Sequence, residues 1–113
     1  MVSEPVNGNV VVLVTAPSQE EAAQIARALV QEKLAACVNV LPAVRSIYRW
    51  EGQVQDEPEA LMVVKTRAEM FERLRAKVVA LHTCSCPEVI ALPVVAGHAP
   101  YLDWLAGSVG ESE

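Results

Sequence analysis

Aromatic residues are scarce in this chain: one Phe, two Tyr and two Trp among 113 residues, 4% in all. A core built on large rings is excluded, and aliphatic side chains must fill the interior. Basic residues are also few, nine Lys and Arg against fourteen Asp and Glu for a formal charge of -5. No Lys/Arg run supplies the counterion-releasing footprint that nucleic acid requires, so no nucleic-acid partner is expected. No apolar run approaches the ~20 residues of a spanning helix, so no membrane partner is expected either. The chain does not open on a basic stretch, an apolar run and a small-residue cleavage site, and a cytoplasmic location is the expectation. Three cysteines, an odd number, make no disulfide framework and are expected as thiols. There is no Ser/His/Asp or Cys/His pattern with a third orienting group, no phosphate-cradling Gly-rich loop and no recognisable pair of catalytic carboxylates. The expectation is a protein that is not an enzyme.

What is present in quantity is aliphatic surface. A hydrophobic fraction of 52% in 113 residues implies one domain, residues 1–113, burying more than a small monomer can hide by itself. Residues 1–9 and 107–113 lack periodicity and are read as loose tails. Residues 10–14 form an unbroken β-prone run. Ser18 and Glu21 frame a capping box, and Ala22, Ile25, Ala26, Leu29, Val30 and Leu34 follow at helical spacing, which predicts a helix over 19–35.

Residues 37–41 and 44–50, interrupted by Pro42, return through Gly52 and Val54 as a long hairpin. Pro58 falls nearly opposite Pro42, so the ladder is expected to fail in both strands at that level. This divides the hairpin into a base, continuing over 59–66, and an arm over 44–57. The arm carries Ile47, Tyr48 and Trp50, which a two-stranded ribbon cannot keep dry. Thr66 and Glu69 suggest a second capping box before the apolar stripe Phe71, Leu74, Val78 and Leu81. Residues 89–95 read as a fourth strand whose Pro93 argues for an edge position or a bulge, and Pro100 starts a short terminal helix. The order βαββαβ plus a helix predicts an α+β, ferredoxin-like sandwich with a projecting hairpin. Its second sheet face, assigned Leu13, Val38, Val40, Leu61 and Val63, is apolar. A homo-oligomer follows from packing.

Several residues carry chemistry. His82, Cys84 and Cys86 offer an imidazole and two thiols, soft donors suited to Cu(I) or Zn(II), and in an extended segment their alternate spacing would point them to one side. The alternative reading is structural, with small free cysteines packed as apolar groups. Cys37, in an apolar strand, is expected in the core. Glu59, Leu61, Val63 and Lys65 share one strand face. Glu59 and Lys65 are read either as strand-end charges or as parts of a cleft with Tyr48, Trp50, His82, Glu88, Tyr101 and Trp104. Arg45 and Arg49 stand opposite Asp56 and Glu57 as cross-strand pairs.

The segments Leu34-Ala35-Ala36-Cys37-Val38-Asn39 and Ser46-Ile47-Tyr48-Arg49-Trp50-Glu51-Gly52, Glu59 with Lys65-Thr66, His82 with Pro87-Glu88-Val89, and Gly97 with Tyr101-Leu102-Asp103-Trp104-Leu105 resemble the CutA divalent-cation tolerance proteins. The resemblance implies a homotrimer with interlocking hairpin arms, architecturally similar to the PII signalling proteins. It also implies tolerance of divalent metals, with a copper ion as ligand, and places Tyr48, Trp50, Glu59, Lys65, Glu88, Tyr101 and Trp104 around an intersubunit cleft. The chain departs from the family where many relatives have His-Pro-Tyr, and where some carry a Cys in place of Val14 or a His in place of Leu81. A PII-like sensor holding a small ligand through Lys65 and backbone amides is the second reading.

Overall fold

In the computed structural model, residues 8–110 are described. Four strands and three α-helices follow in the order β1 (Asn9–Ala16), α1 (Gln19–Gln31), β2 (Cys37–Trp50), β3 (Gln53–Arg67), α2 (Phe71–Leu81), β4 (Val89–Pro93) and α3 (Ala99–Gly107). The sheet is antiparallel with strand order β2-β3-β1-β4, the expected ferredoxin-like arrangement. Pro93 ends β4 at a sheet edge, where its missing N–H costs no ladder bond. The tail expectation gives way at both inner ends, because Asn9 is a buried residue of β1 and Gly107 belongs to α3. Residues 1–7 and 111–113 lie outside the described residues.

Alternation along β1 and β3 sorts the interior. Val10, Val12, Val14, Met62 and Val64 pack beneath Ile25 and Leu29 of α1 and Leu74 and Val78 of α2. Val38 and Val40 also touch this core, because they pair with Val64 and Met62. Alternation in the sequence predicts them on the second face, one residue out of phase with the observed pairing. The second face instead carries Cys37, Asn39 and Leu41 beside Lys65, Val63 and Leu61. Cys37 is therefore half-buried outside the core, against Tyr101 of α3. Leu102 and Leu105 of α3 are buried while α3 touches β1 and β3, so α3 covers that end of the second face.

Two helix signals also resolve differently from expectation. Ser18 does cap α1, accepting from Glu21 N–H at 3.1 Å, but the Glu21 carboxylate turns to Thr83 rather than to the first turn of α1. Helix α1 stops at Gln31, four residues early, with Lys33 in the left-handed region at φ 60° and Leu34 N–H bonding Leu29 C=O at 2.9 Å. Thr66 is no cap. It is a buried residue of β3 whose hydroxyl donates to Leu34 C=O at 2.6 Å, and a 3-10 turn, Ala68–Met70, leads into α2.

The hairpin breaks in one strand only. Leu41 pairs with Leu61 and Val44 with Glu59, so Pro42 and Ala43 together oppose Ala60 in a β-bulge, while Pro58 stays in register opposite Arg45. The arm turns on Glu51 and Gly52, both at positive φ (51° and 80°), the two-residue turn that matches strand twist. Of the expected cross-strand pairs, Arg45 holds Asp56 in a two-pronged bond at 2.8 and 2.7 Å, which keeps the Asp56 carboxyl below its usual range. Arg49 instead donates to Gly52 C=O at 3.4 Å.

Candidate functional site

The bulge decides which side chains meet. Beyond it β2 is shifted by one residue, so Ser46, Tyr48 and Trp50 come onto the face that carries Glu59 and Leu61. Without the extra residue the two rings would point to the opposite side of the ribbon. On this face, at the end of β1 marked by Thr15, the arm and the loop after α2 enclose a cleft of about 570 Å³. Its lining includes Tyr48, Trp50, Glu59, His82, Cys84, Cys86 and Glu88.

His82 follows the last turn of α2, its N–H bonding Val78 C=O at 2.8 Å. The ring turns inward until its side chain is 2% exposed. Nε2 lies 2.7 Å from Thr15 C=O, and Nδ1 accepts the Cys84 N–H at 3.0 Å. A carbonyl only accepts and an N–H only donates, so in the neutral ring the proton sits on Nε2. Glu21 completes the mount. It accepts from Thr83 N–H at 2.9 Å and from the Thr83 hydroxyl at 2.8 Å, with an oxygen 3.6 Å from His82 Nδ1.

The expected metal trio is therefore not assembled. Both His82 nitrogens are occupied by the protein, and residues 83–86 bend rather than extend, so alternate spacing does not align the donors. Among the described residues no group of three or more His, Cys, Asp or Glu side chains is arranged to hold an ion. What remains for a soft metal is the pair of exposed thiols, Cys84 and Cys86, beside the carboxylates of Glu59 and Glu88. Two sulfurs fit the low coordination number of Cu(I) and fall short of a four-ligand zinc site.

The cleft is electronegative. Burial, then the carboxylates of Glu21 and Glu59, push the Cys84 thiol above its ordinary range. Burial likewise raises the Tyr48 hydroxyl, with Glu57, Glu59 and Cys84 adding to the effect.

The other expected cleft residues lie elsewhere in the chain. Lys65 is six residues along β3 from Glu59, about 20 Å away at strand rise, and its ammonium donates to Asn39 Oδ1. Tyr101 and Trp104 pack ring on ring in α3 with centroids 5.4 Å apart. They belong to the Cys37 end, where burial and then Cys37 raise the Tyr101 hydroxyl. Within one chain, then, Tyr48, Trp50, Glu59 and Glu88 share the cleft, and Lys65, Tyr101 and Trp104 do not. Sequence reasoning missed Thr15 and Glu21. The Ser18–Glu21 spacing drew Glu21 into a capping role, and Thr15 acts through a backbone carbonyl that no side-chain motif announces.

Comparison with known proteins points to one family. The model of the CutA1 divalent ion tolerance protein family matches residues 10–108. The chain is 51% identical over 100 residues to a divalent-cation tolerance protein CutA of Thermus thermophilus, covering 88% of this chain and 97% of that one. It is 48% identical to a chloroplastic protein CutA of Arabidopsis thaliana, again over 88% of this chain but 55% of the longer relative. Among solved structures, a divalent cation tolerance protein from Thermus thermophilus superposes with a TM-score of 0.88 at 50% identity, covering 90% of this chain and 99% of that chain.

Proposed function

Because the chain belongs to the CutA1 divalent ion tolerance family, we propose that it acts in metal homeostasis as a cytoplasmic homotrimer that takes up transition-metal ions, copper foremost, without turnover. The ion is cargo. The observation that carries this reading is the pair of exposed, free thiols, Cys84 and Cys86, in one electronegative cleft with Glu59 and Glu88. Thiolates supply the soft donors that Cu(I) prefers, and the carboxylates draw cations toward them. His82 serves as a positioning residue, because its ring grips the Cys84 backbone and leaves the sulfur outward. Free thiols at the surface suit a reducing compartment, which supports the cytoplasmic assignment.

Metal uptake displaces the thiol protons, so it strengthens as pH rises. The raised Cys84 thiol extends that rise to higher pH than an ordinary thiol would give. The test is anaerobic Cu(I) titration against a competing chelator. The unaltered protein is expected to bind one ion per chain, and the double variant Cys84→Ser, Cys86→Ser to bind none. Undiminished uptake by the double variant would overturn the assignment.

A further inference from the structure

Cys84 and Cys86 stand on a segment that bends at each residue from 83 to 86. Two residues of chain separate their Cα atoms by no more than about 7 Å when fully extended. That ceiling is the separation of about 7 Å within which two cysteines can be bridged without moving the backbone. The bend is anchored to the body of the protein. Cys84 N–H is held by the buried His82 ring at 3.0 Å, and Thr83 gives both its N–H and its hydroxyl to Glu21. Both thiols are exposed and line the same cleft, whereas Cys37 is half-buried beside Tyr101 at the other end of the sheet.

We propose that Cys84 and Cys86 form a reversible intrachain disulfide, a redox modification site whose oxidant is a small-molecule disulfide. Both thiols are exposed, so either one can attack and its neighbour resolve. When Cys86 attacks first, its thiolate takes one sulfur of the oxidant, whose S–S bond breaks as a mixed disulfide forms and one small thiolate leaves. The Cys84 sulfur then attacks Sγ of Cys86, closing the protein S–S bond and expelling the second small thiolate. The two protons lost by the cysteines end on the two small thiols, and the protein is oxidised by two electrons as the small disulfide is reduced. The closed pair has no thiolate to offer a metal. That consequence rests on the copper reading, whereas the disulfide itself does not.

The experiment equilibrates the full chain with oxidised glutathione, then counts thiols after denaturation and measures intact mass. The expected result is a fall from the three thiols of the reduced chain to one, a loss of two hydrogens with no adduct, and full reversal by dithiothreitol. Cys84→Ser, an exposed change, is expected to stop at a stable glutathionyl adduct on Cys86. Three surviving thiols, a persistent adduct on the unaltered chain, or chains cross-linked on a non-reducing gel would each overturn the proposal. Copper titration of the oxidised protein separates the two readings. Closure of the disulfide with uptake intact supports the redox pair and overturns the copper assignment instead.

Discussion

His82 commits both ring nitrogens to the backbone, one to Thr15 and one to Cys84. Its removal leaves a part-buried carbonyl and a loop amide without these partners, a loss of about 1–3 kcal/mol. His82→Leu is therefore expected to lower the unfolding free energy, read from denaturant titration, by that amount while leaving Cu(I) stoichiometry unchanged. Loss of uptake with stability preserved would make the ring a ligand after all. The neighbouring thiol answers to charge. Burial, then Glu21 and Glu59, raise the Cys84 thiol, so Glu59→Gln removes the last of these contributions, leaves more thiolate at neutral pH and speeds alkylation of Cys84. Mass-mapped alkylation between pH 7 and 10 reads the effect. A rate profile that does not move toward lower pH would show that the carboxylate does not act on this sulfur.

At the scale of elements, the bulge at Pro42 and Ala43 matters more than the hairpin's length. It lets a proline sit inside a 14-residue strand and turns Tyr48 and Trp50 onto the face of Glu59. Deleting Ala43 restores the simple register and carries both rings to the other side. The base of the sheet is expected to keep its far-UV circular dichroism while the arm loses its fit to neighbouring copies, read as a drop in sedimenting mass. An unchanged mass would mean that the arm's facing is immaterial to assembly. The end of α1 follows the same logic of local geometry. Lys33 occupies a left-handed position that favours glycine, which is why no glycine in the sequence announced where the helix stops.

For the whole molecule the unresolved account is apolar surface. Ile47 is 64% exposed, Val54 65% and Val95 70%, and Ile90, Leu92, Trp50 and Trp104 are each about half exposed. Such residues on the arm, the edge strand and the segment that follows it favour burial against further copies, each large side chain contributing about 1.5–3 kcal/mol when fully covered. Sedimentation at micromolar concentration is expected to return three times 12.2 kDa, and Val54→Asp to shift the population toward single chains. A stable particle of one chain's mass would remove the trimer from the proposal. Lys65, Tyr101 and Trp104 lie at the far end of the sheet from Glu59, so any cleft joining both sets must be built from more than one copy.

The chain's own pattern determined the element order, the strand at each apolar run and the glycine turn of the arm. These depend on local periodicity and on what Gly and Pro permit, which a sequence displays directly. Tertiary structure alone decided the facing of Val38 and Val40, the side of the ribbon that presents Tyr48 and Trp50, and the inward turn of His82. A single inserted residue reverses every side chain beyond it, and the His82 ring is held by a carbonyl 67 residues away. Neither a one-residue phase shift nor a distant backbone acceptor leaves any mark on residue spacing.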